Sequence, residues 1–80
     1  MPYINKQSKR GIEDGWNPDE AGQLNYVITQ LCLTYLKTKG ERYQTYNDIT
    51  GALENAKLEM YRRKVTPYEI QKCTENGDVY

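Results

Sequence analysis

The sequence contains no histidine and no phenylalanine. Without histidine there is no imidazole general base, no imidazole zinc ligand and no Ser-His or Cys-His pair for nucleophilic hydrolysis. Its two cysteines, Cys32 and Cys73, stand far apart. Two thiols do not complete a four-ligand zinc site from one chain, so no metal or cofactor is expected. Net charge is equally lacking. Eleven Lys and Arg balance eleven Asp and Glu, which excludes a polybasic tail and a uniformly basic nucleic-acid binder. No apolar run approaches the roughly 18 residues that cross a bilayer. The opening Met1-Pro2-Tyr3-Ile4-Asn5-Lys6 lacks the apolar stretch of a signal peptide. A soluble, cytoplasmic protein with free thiols is therefore expected, with no membrane partner.

Aliphatic residues are also scarce. Six Leu, five Ile and three Val make 14 of 80 residues, a thin core for one small domain. Eight tyrosines and Trp16 add apolar area. A buried aromatic ring removes on the order of 150–200 Å² from water, at about 25 cal/mol per Å². A chain this short buries only about 60% of its unfolded surface and is marginal alone. Self-association is therefore expected, with tyrosines in the interface.

Helical punctuation is clear along the chain. Residues 1–16 carry Gly11, Gly15 and the polar run Asn5 to Arg10 and read as an irregular arm. Asn17-Pro18-Asp19-Glu20 reads as a helix start, with Asn17 as cap and Pro18 in the first turn. Leu24, Ile28, Leu31 and Tyr35 follow at helical spacing, with Val27, Leu33 and Leu36 beside them. Lys37, Lys39 and Gly40 form the end, giving a first helix over 17–39. Residues 41–46 read as a connector. A second helix over 47–65 is expected to bury the stripe Ile49, Leu53, Ala56 and Met60. Gly51 in its first turn costs roughly 1 kcal/mol relative to Ala, which close approach of the first helix would offset. Pro67 stops or kinks this helix and pushes Thr66 toward extended geometry. A short helix over 67–75 then ends at Asn76-Gly77, leaving Asp78-Val79-Tyr80 to dock or fray. The expectation is one all-α domain over 1–80. It is an antiparallel helical hairpin with an irregular arm and a short C-terminal helix, assembling as a homo-oligomer.

Five blocks carry a resemblance to known proteins: Gly22-Gln23-Leu24-Asn25-Tyr26-Val27-Ile28, Gly51-Ala52-Leu53-Glu54, Lys57 to Arg63, Pro67-Tyr68-Glu69 and Glu75 to Tyr80. With these, the chain resembles a small family of uncharacterised proteins of bacteria and their phages, grouped as a domain of unknown function. It departs from that family at Gln23, where Glu is usual, and at Lys64 and Thr66, where apolar residues or Ala are usual. The resemblance implies a small helical protein of phage type. It brings no activity with it.

One side-chain constellation suggests chemistry. Glu54, Lys57, Tyr61, Lys64 and Tyr68 share a face if the second helix runs through, and Arg62 and Arg63 flank it. Residues 57–64 hold Lys57, Arg62, Arg63 and Lys64 against Glu59 alone. Arginine forks take phosphate or carboxylate oxygens in pairs, and a tyrosine beside them can stack on a base. The plain alternative is a solvated face whose cations pair with Glu54, Glu59 and Glu69, each pair contributing well under about 1 kcal/mol. On the first helix, Asn25 and Tyr26 sit among apolar neighbours, where a buried amide must find a partner. The candidate ligand-binding residues are thus Asn25, Tyr26, Lys57, Tyr61, Arg62, Arg63 and Tyr68, with no catalytic residue among them.

Charge pattern, size and the phage-type resemblance together give a functional expectation. The protein is a non-catalytic sponge that sequesters a small anionic, nucleotide-derived immune signalling molecule between protomers. The alternatives are a protein–protein inhibitor or scaffold acting on a host defence protein, and a Mg-dependent enzyme like the nucleotide pyrophosphohydrolases. The last suffers because Glu54 and Glu59, five residues apart, point to different helix faces. A helix-turn-helix for DNA is disfavoured by the long connector and the mixed-sign face.

Overall fold

A computed structural model describes residues 5–13, 15 and 17–77. Expectations placed on Met1 to Ile4, on Trp16 and on Asp78-Val79-Tyr80 lie outside the described residues. Among those described the protein is all-α, without a strand. In chain order the elements are α1 (Lys6–Glu13), α2 (Ala21–Lys39), α3 (Tyr43–Met60), a π-helical turn (Tyr61–Val65) and α4 (Thr66–Asn76). No described helix is long and apolar enough to cross a membrane. The chain falls into two compact units, Met1–Thr45 and Tyr46–Tyr80.

In the first unit the arm is helical rather than irregular. Helix α1 packs on α2, with Gly11 buried and Ile12 half-buried. Lys, Gln, Arg and Glu favour this helix and Gly11 opposes it, and packing against a longer neighbour supplies what an isolated eight-residue helix lacks.

Helix α2 starts later than Asn17-Pro18 suggests. Residues 17–19 stay outside it and Glu20 is extended at φ −137° and ψ 155°. The N-cap is Glu20, without a side-chain cap bond, and Gln23 folds back on the entry, its Oε1 accepting the Asp19 backbone N–H at 3.0 Å. The buried side chains of α2 are Gln23 and Tyr26. The expected stripe of Leu24, Ile28, Leu31 and Tyr35 is exposed in the single chain. The C-terminal end is as expected. Gly40 turns at φ 91° and donates its N–H to the Leu36 carbonyl, a backbone that only glycine adopts without strain.

Helix α3 begins at Tyr43, four residues before the expected start, which shortens the connector to Gly40–Arg42. Thr45 in its first turn is fully buried at 1% exposure, and its hydroxyl has no hydrogen-bond partner among the described residues. A lone threonine gives no apolar period, so the pattern does not reveal this turn.

In the second unit the largest departure is at Pro67. The helix neither stops nor breaks there. Thr66 stays helical at φ −62° and ψ −47°, and its N–H reaches the Tyr61 carbonyl five residues back. Pro67 has no N–H to give, and its ring would press on the Arg63 carbonyl in a regular α-helix. Widening the preceding turn to the π register relieves that clash and keeps the helix running. Gly77 then ends α4 at φ 85°, with its N–H on the Cys73 carbonyl. Around Gly51 there is open space, with nothing among the described residues within 4 Å of where a Cβ would stand.

Candidate functional site

The residues of interest divide between the two units. In the first, Tyr26 lies one turn into α2 and is 4% exposed. Its hydroxyl donates to Glu13 Oε1 at 2.6 Å, and Lys9 Nζ lies 5.7 Å from its ring centroid. The phenol is held above the ordinary tyrosine value, first by that hydrogen bond to a carboxylate, then by burial and by the Glu13 charge. A neutral phenol donates to Glu13, and a phenolate beside it would face a like charge. An open-sided groove of about 480 Å³ runs past this pair, walled by Ile12, Pro18, Val27 and Leu31. Asn25 is exposed, and its Oδ1 accepts from the Thr29 hydroxyl at 3.2 Å.

Glu13 and Lys9 were invisible as site residues in the sequence. Thirteen positions separate Glu13 from Tyr26, and no helical or strand period links them. Only the fold of α1 onto α2 brings the carboxylate to the phenol.

In the second unit the Tyr-Arg-Arg-Lys block occupies the π-helical turn. Arg62 and Arg63 both pair with Glu59, Arg63 through Nε. Lys57 pairs with Glu54 at 3.8 Å. Glu59 is half-buried and the cations are largely in water, Arg62 and Arg63 being 72% and 74% exposed. Such pairs are worth ~0.2–1 kcal/mol each and exchange readily for another anion. Tyr61 and Tyr68 are exposed, and Lys72 Nζ lies 5.5 Å from the Tyr68 ring centroid.

The π turn also re-sorts the expected face. One added residue in a turn rotates everything beyond it by about 100° relative to an unbroken α-helix. Glu54, Lys57 and Tyr61 precede the shift and keep their common side. Lys64 and Tyr68 are carried roughly a quarter turn away, and Tyr68 arrives on the line of Ile49, Leu53, Ala56 and Met60. Tyr68 thus leaves the side that Tyr61 shares with Glu54 and Lys57.

Among the described residues no group of three or more Cys, Asp or Glu side chains comes together in a way that could hold a metal ion. Both cysteines are free thiols, Cys32 half-buried and Cys73 exposed.

Comparison with known families places this architecture. The family described as Domain of unknown function (DUF6899) matches residues 1–79. The chain belongs to this family. The match extends over both units, so the Tyr26–Glu13 pair and the arginine turn both lie within the DUF6899 domain. No curated protein and no solved structure matches the chain.

Proposed function

We propose that this DUF6899 protein is a non-catalytic binding protein. It works as a homo-oligomer of helical hairpins in the cytoplasm, and it sequesters a small anionic, nucleotide-derived ligand between protomers. The supporting observation is the turn at Tyr61–Val65. Two exposed guanidinium groups there share one carboxylate, Glu59, with Tyr61 beside them. A phosphate offers more charge and more oxygens to the same two forks than Glu59 does, so it competes well for them. In the phage-type setting that the family resemblance suggests, such a protein acts by mass action. It withholds a signalling molecule from a host defence effector and breaks no bond.

The test is a thermal-shift series with cyclic and linear nucleotides. A ligand at a hundred times its Kd stabilises the folded state by about 2.7 kcal/mol. Wild type should show the shift. Arg62→Ala combined with Arg63→Ala should abolish it, with helix content unchanged by circular dichroism. Heating the complex should release the ligand intact. Hydrolysed product would instead favour the magnesium-dependent enzyme.

A second reading rests on a different observation. Leu53, Leu58, Met60 and Ile70 are all exposed in the single chain, a quantity of apolar surface suited to a protein partner. A protein inhibitor or scaffold would show no nucleotide shift and would co-purify with a host protein.

A further inference from the structure

The helical run from Tyr46 to Asn76 spans about 46 Å at 1.5 Å per residue. Among its residues none is buried in the single chain. With the rotation introduced by the π turn, one continuous line carries Ile49, Leu53, Ala56, Met60, Val65 and Tyr68. Leu53, Met60 and Tyr68 are 42%, 57% and 59% exposed. A straight α-helix would put Pro67 where Tyr68 now stands, so the π turn is what extends the apolar line beyond Met60.

Charge along the same run is sorted. Before Tyr61, Asp48, Glu54 and Glu59 stand against Lys57 and leave two net negative charges. From Arg62 to Asn76, Arg62, Arg63, Lys64 and Lys72 stand against Glu69 and Glu75 and leave two net positive charges. Tyr61 lies at the midpoint. Two copies laid side by side in the same direction would set like halves together. Two copies in opposite directions set each acidic half beside a basic half, and a two-fold axis at Tyr61 makes both contacts equivalent.

We propose that this line is a self-association seam, and that its occupant is the same run of a second copy, antiparallel, with the axis near Tyr61. The inference rests on the homo-oligomer part of the functional reading and specifies its geometry. It brings the two Glu59–Arg62–Arg63 groups of the pair close to one another, with four guanidinium groups and two glutamates around the axis.

Charge-reversal variants test the direction of pairing. In one, Arg62→Glu, Arg63→Glu and Lys64→Glu make both halves acidic. In the other, Asp48→Lys, Glu54→Lys and Glu59→Lys make both halves basic. Every altered side chain except Glu59, which is half-buried, is exposed, and circular dichroism checks that helix content persists. Sedimentation equilibrium without ligand should show wild type as a self-associated species. Each variant alone should associate at least about tenfold more weakly, and their equimolar mixture should recover a heterodimer. Leu53→Asp, on the line, should also weaken association, and Leu58→Asp, on the opposite side, should not. The seam is overturned by a monomeric wild type at tens of micromolar. It is equally overturned by variants that associate as wild type does, or by a mixture that stays monomeric. Because no nucleotide enters the measurement, loss of nucleotide binding leaves the seam standing. A failed seam in a wild type that still self-associates, with an intact thermal shift, leaves the ligand reading standing.

Discussion

Tyr26 shows how a single residue ties pH to folding. Its phenol is raised above the ordinary value of 10.0 by donation to Glu13, by burial and by the carboxylate charge. The unfolded chain therefore loses this proton first as pH rises. Above pH 10 the folded state holds more protons than the unfolded one, so stability falls with increasing pH through the folded-state value. Urea unfolding of wild type should show this alkaline decline, and Tyr26→Phe should lose that component of it. At Gly51, the open space around the α-carbon leaves only the helix-propensity penalty. Gly51→Ala should raise stability by about 1 kcal/mol in the same urea experiment. A loss of stability would mean that another surface covers this position. Gly40 and Gly77 were legible in the sequence as helix ends because positive φ has few other hosts. Gln23 was not, because a glutamine that bonds the backbone four positions earlier looks like any polar residue on a helix.

At the scale of the element, the helices were legible wherever period and punctuation agreed. The helical course of α3 and the ends of α2 and α4 follow from apolar spacing and glycine, but the stripe Ile49, Leu53, Ala56 and Met60, expected to be buried, has no buried member in the single chain. The start of α3 and the whole of α1 were not legible, since each depends on packing by residues with no apolar pattern, Thr45 and Gly11 among them. Pro67 marked the right place and concealed the outcome. Proline announces a disturbed ladder, yet whether the chain breaks, bends or widens depends on the turn before it. If relief of the Pro67 clash holds the π turn, Pro67→Ala should let Tyr61–Val65 return to the α register. Helix content by circular dichroism should stay level or rise. Tyr68 should rotate by about 100° off the apolar line, and association measured by sedimentation should weaken. An unchanged dimer would show that Tyr68 is not part of the contact.

For the whole molecule, composition set the terms. Few aliphatic side chains and zero net charge leave the single chain with only Tyr26 as a buried apolar side chain among the described residues. The candidate binding residues are spread over both compact units, which spacing along the chain alone could not show. A neutral protein exerts no monopole field, so two copies approaching from afar neither attract nor repel as point charges. The acidic and basic halves of the long helix nevertheless have centres roughly 23 Å apart, about half its length. That separation exceeds the screening length of about 8 Å at physiological salt. Each end therefore acts on its own at close range and exerts a torque on an approaching copy. In the proposed seam this torque turns an approaching copy antiparallel before the apolar side chains touch, and added salt should remove the alignment before it removes the contact.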